Sequence, residues 1–167
     1  MSVPAERRIV VGVDGSVESA AALRWACREA SLRNAEVHAV HVREANCHSI
    51  ASYAVPAAGR QESSEGDVDL AGLWQSVVPE QKRNPGIEIR TEVVDGLAAR
   101  ELLDRCAEAD MLVLGTASNP HGVPRSAGPV IRACLRRALC PVVVISAEQD
   151  PAPARETRPA GLRLAGV

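Results

Sequence analysis

Aromatic residues are almost absent from this chain. Trp25, Tyr53 and Trp74 make up the whole 2%, and there is no Phe. A platform on which the bases of a single strand stack is therefore not expected, and the core must be built from Val, Leu, Ile and Ala. Neither sign of charge dominates: the formal net charge is −2. Nothing in that balance draws the chain to nucleic acid or to an anionic lipid surface. No run approaches the roughly 18 consecutive apolar residues of a membrane span. The opening "MSVPAERR" has no apolar core of the kind a signal peptide carries, so a cytoplasmic protein is expected. Cysteine is present without a pattern. Cys27, Cys47, Cys106, Cys134 and Cys140 are odd in number and contain no CxxC, and they read as small, reduced core residues.

What the chain does have is length and apolar content for one domain with a real core, 167 residues at 46% hydrophobic. Short apolar runs recur: "RIVVGVD" (Arg8 to Asp14), "EVHAVHV" (Glu36 to Val42), "IEIRTEVV" (Ile87 to Val94), "MLVLG" (Met111 to Gly115) and "PVVVIS" (Pro141 to Ser146). The first, fourth and fifth are continuous and β-branched, as strands buried on both faces must be. The third alternates, with Ile87, Ile89, Thr91 and Val93 on one side, which suits an edge strand with one wetter face.

Helical spacing fills the gaps. Leu23, Ala26, Cys27 and Ala30 recur at i, i+3, i+4 and i+7 behind Ser16, a fair N-cap. Leu70, Leu73, Trp74 and Val77 repeat the spacing, with Pro79 expected to help end that segment. Ala99, Leu102, Leu103 and Cys106 follow, then Val130, Cys134, Leu135 and Ala138. Alternation of strand and helix predicts an α/β fold with a five-stranded, mainly parallel, doubly wound sheet, a three-layer sandwich. Residues 45–67 read as a variable connection, and 148–167 as a disordered tail behind a domain spanning 1–147.

In such a sheet a ligand binds beyond the carboxyl ends of the strands, where the strand order reverses. "GVDGS" after the first strand, Val42 and Arg43 after the second, and "GTASNPHGVPRSAGP" after the fourth would meet there. Asp14 at a strand end can accept from a ribose hydroxyl or an amine, or simply cap its own turn, with Gly15 permitting a tight bend. Gly115 ends the fourth strand and Gly128 starts the last helix. A glycine-rich turn running into a helix N-terminus suits an anion such as phosphate, and many such loops are plain connections.

Taken together, "RIVVGVDGSVESAAALRWACREA", "AEVHAVHV", "VVDGLAARELLDRCAEADMLVLGT" and "GPVIRACLRRALCPVVVI" resemble the universal stress protein domain over residues 6 to 147. The resemblance implies the same sandwich, of the flavodoxin or adenine-nucleotide-hydrolase type, and a role in stress response or signalling. The residues near the loop offer no obvious base or metal-binding set, so an enzyme is not expected, a weak ATPase being the remaining alternative. It also implies a homodimer joined through the last strand, Pro141 to Ser146. ATP-binding members resemble G-x2-G-x9-G-[ST]. Here the spacing is kept and Gly115 and Gly128 match, but Ser118 replaces the second glycine and Pro129 replaces the Ser or Thr.

By that resemblance the nucleotide-binding residues are Gly12, Val13, Asp14, Val42, Gly115, Thr116, Ser118, Gly128, Pro129 and Val130. The ligand would be ATP or another adenine nucleotide, with no metal beyond Mg carried in with it. Ser in a turn that needs positive φ costs about 1 kcal/mol. Pro129 lacks both a hydroxyl and an N–H, and two lost donors to a charged group, at about 1.5–3 kcal/mol each, weaken phosphate binding a hundredfold or more. Arg125 and Arg132 are alternative phosphate partners or plain surface cations. The competing expectation is a dimeric interaction protein of the same family that binds no nucleotide.

Other constellations lead nowhere. His38 and His41 point to opposite faces of a strand, while Cys47 and His48 fall in a connection, so no compact metal set forms. No Ser/His/Asp or Cys/His arrangement is readable. Arg136 and Arg137 complement the dipole of the last helix.

Overall fold

The computed structural model describes residues 7–44, 65–117 and 127–147, the side chains of 65–70 excepted. The greater part of the 45–67 connection, the tail from 148, Ser118, His121 and Arg125 lie outside the described residues. In chain order the elements are β1 (Arg8–Gly12), α1 (Val17–Arg33), β2 (Glu36–Arg43), α2 (Glu65–Arg83), β3 (Ile89–Asp95), α3 (Ala98–Cys106), β4 (Met111–Thr116), α4 (Pro129–Arg137) and β5 (Val142–Ser146).

The strands form one five-stranded sheet in the order β3-β2-β1-β4-β5, and every neighbouring pair is parallel. The alternating strand, β3, is an edge, as its wetter face predicts. The continuous runs of β1 and β4 are the centre, with Ile9, Val10, Val11, Leu112 and Val113 wholly buried. But β5, expected from its continuous run to be buried on both faces, is the other edge, with Val142 to Ile145 only partly buried. Side chains of alternate parity enter two separate cores. Ile9, Val11, Val37, Ala39 and Val113 pack against α1 and α2, whereas Val10, Val40, Leu112 and Leu114 pack against α3 and α4. The chain order reverses between β1 and β4, so the switch point lies at their carboxyl ends.

α1 buries the stripe expected of it: Leu23, Ala26, Cys27 and Ala30 are all 0% exposed. Full burial of Leu23 alone contributes about 2 kcal/mol. The small residues let α1 lie close on the sheet. Burial, with Glu80 adding to it, pushes the Cys27 thiol up to about 12, so it stays protonated and inert.

Several expectations are corrected. Residues 65–67 belong to α2, not to the connection, and Pro79 sits inside α2, which runs on to Arg83. The proline removes one i→i−4 bond, but both flanks are anchored. Leu73 and Val77 are buried before it, and the Gln81 amide donates to Ile87 O at 3.0 Å after it. Trp74 and Leu135, placed on core faces by their spacing, are 49% and 54% exposed. The face of α2 turned to the sheet is centred on Leu73 and Val77, and that of α4 on Ile131 and Cys134. The cysteines are not all reduced. Cys106 and Cys140 form a disulfide, Cα–Cα 6.0 Å, between the end of α3 and the start of β5, while Cys27 and Cys134 are free and buried.

Candidate functional site

The β1–α1 turn is built from its own side chains. Gly15 takes φ +83°, a conformation that favours glycine. Ser16 caps α1 by accepting from Ser19 N–H at 3.1 Å, and the Ser19 hydroxyl donates to Ser16 O at 3.0 Å. Asp14 Oδ1 accepts from Ser16 N–H at 3.0 Å and from the Ser16 hydroxyl at 2.5 Å. Partial burial pushes the Asp14 carboxyl up, but the Ser16 and Ser19 hydrogen bonds outweigh it and hold the group below its ordinary value. Asp14 thus caps the turn with one oxygen, and Oδ2 has no hydrogen-bond partner among the described residues.

Gly115 is required by packing as well. A Cβ there would run into the Glu18 carbonyl and the Ser19 amide, because the first turn of α1 lies backbone to backbone on the end of β4. That contact carries the Asp14 turn up to the mouth of β4.

The helix entries at this end differ. Ser16 caps α1. α3 has Leu97 at its N-cap, with no side-chain bond of its own, but Glu44 reaches across from the end of β2 and accepts from Ala98 N–H at 3.1 Å. α4 has Gly128 at its N-cap and Pro129 in its first turn, with no side-chain cap among the described residues. Its remaining first-turn donors are the N–H groups of Val130 and Ile131.

These pieces enclose a cavity of about 250 Å³ lined by Gly12, Val13, Asp14, Val42, Gly115, Gly128, Pro129 and Val130, with Ser19, Val40, Ala98, Leu102, Leu114 and Ile131. All described sequence-derived site residues except Thr116 therefore meet in one place. Thr116 is 7% exposed, its hydroxyl turned to Ala117 O at 3.5 Å, and it does not line the cavity. The residues that sequence reasoning missed are chiefly apolar wall. Leu102 belongs to the helical stripe that marks α3 as packing, and Leu114 precedes the glycine on the same strand. Neither carries a polar signal.

The wall formed by α3 is pinned from behind. Arg105 donates to both Glu92 oxygens at 2.5 and 2.7 Å and to Glu101 at 3.1 Å, and His38 Nε2 lies 2.9 Å from Glu92. The Arg105 bonds hold the Glu92 carboxyl low. Burial lowers His38 despite the pull of Glu92, which favours a neutral ring. His38 and His41 do face opposite ways. His41 Nδ1 is 2.7 Å from Val13 O on the other side of the sheet. Arg132, on the outer side of α4, is exposed and does not line the cavity.

An apolar slot with an acid at one end and an uncapped helix N-terminus at the other suits a flat, largely apolar ring bearing hydroxyls and an anionic tail. Comparison with known proteins agrees with the fold. A universal stress protein of Mycobacterium tuberculosis (strain ATCC 25618 / H37Rv) is 30% identical over 150 residues, 89% of this chain and 51% of that protein, so the chain spans about half of that relative. A universal stress protein solved in complex with cAMP superposes with a TM-score of 0.59 at 20% identity, over 86% of this chain and 98% of that one. Another, from Archaeoglobus fulgidus in complex with dAMP, gives 0.58 at 23% identity, over 84% and 98%. The model of the universal stress protein family matches residues 6–146, and this chain belongs to that family.

Proposed function

We propose that this protein binds an adenine nucleotide at the carboxyl ends of β1, β2 and β4 and serves stress response or signalling through that binding, without catalysis. The observation that carries this reading is the single cavity shared by Asp14, Val42 and the N-terminus of α4. In it, the base lies against Val13, Val40 and Val42. The free oxygen of Asp14 accepts from the ribose, and phosphate meets the N–H groups of Val130 and Ile131. Gly12, Gly115 and Gly128 leave room for close backbone approach. The complexes of two like-folded proteins with cAMP and dAMP support a ligand with a single phosphate.

Pro129 withholds one N–H at the helix entry, and Ser118 stands where the loop of ATP-binding members has glycine. The polyphosphate is therefore weakly held, and AMP binds nearly as well as ATP. Any Mg arrives with the nucleotide. Calorimetry with ATP, ADP and AMP tests this, together with Ser118→Gly/Pro129→Ser. The double variant should gain at least tenfold in ATP affinity and little in AMP affinity. Micromolar ATP binding by the unaltered protein would sink the weakened-loop reading.

A second reading rests on β5. No strand among the described residues pairs with its outer edge, Val142 to Ile145 are only half-buried, and Leu139 beside it is 83% exposed. Such an edge suits a homodimer through Pro141 to Ser146, and that dimer could act as an interaction module with no nucleotide. Absence of heat with every nucleotide, in a protein that sediments as a dimer, would favour it.

A further inference from the structure

β1 ends at Gly12, but its ladder with β2 runs one residue further, through Val13 N–H to Val40 O at 2.9 Å. In a continuing parallel ladder the next bond would join Val42 N–H to Val13 O. A side chain takes that carbonyl instead, with His41 Nδ1 at 2.7 Å from Val13 O. A carbonyl can only accept, so the ring must carry its hydrogen on Nδ1. Val40 and Val42 line the cavity, and alternation along β2 puts His41 on the opposite face. The ring therefore braces the end of β1 from behind the cavity wall. Val13 is 3% exposed and stands between Gly12 and Asp14, both of which also line the cavity.

We infer that His41 is a positioning residue for this site. Its Nδ1–H holds Val13 O and fixes the direction in which the chain leaves β1 toward Asp14. The inference rests on the nucleotide reading given above. It adds a residue that touches no ligand. The contact is short and the ring partly buried, so its loss moves the turn.

Two measurements test it. Ring nitrogen shifts of 15N-histidine-labelled protein should show His41 as the Nδ1–H tautomer; an Nε2–H ring would overturn the inference. AMP calorimetry should be run on the wild type, His41→Leu and His41→Asn, with thermal unfolding of each. The Asn amide places an N–H near the position of Nδ1. The Leu variant should lose about tenfold in AMP affinity, the effect of one hydrogen bond, and the Asn variant should stay within about threefold of wild type.

A Leu variant that binds AMP like wild type, or a folded Asn variant as weak as the tenfold loss, overturns the role. If Leu fails to fold, the Asn variant and the ring shifts decide. A wild type that takes up no AMP overturns the nucleotide reading and the purpose assigned to the ring. A wild type that binds, beside an unchanged Leu variant, overturns the ring's role alone.

Discussion

The two ends of the sheet are held in different ways. At the N-terminal ends of the strands, contacts join residues far apart in sequence. Arg8 Nε pairs with the buried Glu36 at 2.5 Å, and Arg90 reaches the same carboxylate at 3.2 Å. Arg8 N–H donates to Asp110 Oδ2 at 2.8 Å, and Asp110 N–H returns to Arg8 O at 2.9 Å. The Cys106–Cys140 bond closes the same end across a separation of 34 residues. At the other end, the side-chain ties among the described residues are Arg43 with Asp95, Glu44 with Ala98 N–H, and His41 with Val13 O. Around the cavity the polar contacts of Asp14, Ser16 and Ser19 stay within five residues. One end carries the disulfide and the buried Glu36 ion pair, and the other keeps a carboxylate oxygen and helix N–H groups available. Stability and ligand binding should therefore respond to different substitutions.

The largest separation should come from the disulfide. Chain-entropy arithmetic for a loop of 34 residues puts its contribution at about 3–4 kcal/mol. Urea unfolding with and without a thiol reductant should differ by that amount, while AMP affinity of the folded, reduced protein changes less than about twofold. Coincident unfolding curves would remove the main tie from that end. Glu36→Gln comes next. It leaves Arg8 and Arg90 facing a neutral amide, and the half-exposed Arg90 softens the loss to about 1–2 kcal/mol. The readout is again the urea midpoint, with AMP affinity as the control. A fall in affinity matching the fall in stability would mean that the two ends are one mechanical unit.

How far each end could be read from the sequence follows the same division. β1 and β4 were legible because burial on both faces demands unbroken apolar runs, and β3 because an edge shows alternation, whereas β5 carries an equally unbroken run at the other edge. The cavity was legible through Gly12, Asp14, Gly115 and Gly128, since the switch-point rule gathers strand ends whatever the side chains are. The ties at the far end were not. Nothing in the spacing of Cys106 and Cys140 says that the end of α3 lies over the start of β5. Glu36 and Asp110 look like any surface acids until the strands pair. Pro79 misled because propensity describes an isolated helix, whereas α2 is anchored on both sides of it. The brace at His41 was half legible. Alternation fixed its face, but the carbonyl it meets belongs to another strand.

The smallest stability effect, and the sharpest separation, should come from Asp14→Asn. The Asn oxygen can still accept from Ser16 N–H, so the turn keeps its cap and the change in unfolding free energy stays within about 0.5 kcal/mol at neutral pH, as for other exposed positions. What remains of Asp14's contribution has a defined pH window. The Ser16 hydrogen bonds hold its folded pKa below the ordinary 3.8. Its share of stability is therefore present above that value and lost as pH falls through the folded pKa, and the Asn variant should lack this small acid-side slope. Affinity should behave otherwise. A ribose hydroxyl that donates to a carboxylate is worth more than one that donates to an amide, and AMP binding should weaken about tenfold. Because the variant is folded and its turn intact, that loss reports the ligand contact itself. An Asn variant that binds AMP as well as wild type would leave Asp14 a helix-capping residue and nothing more.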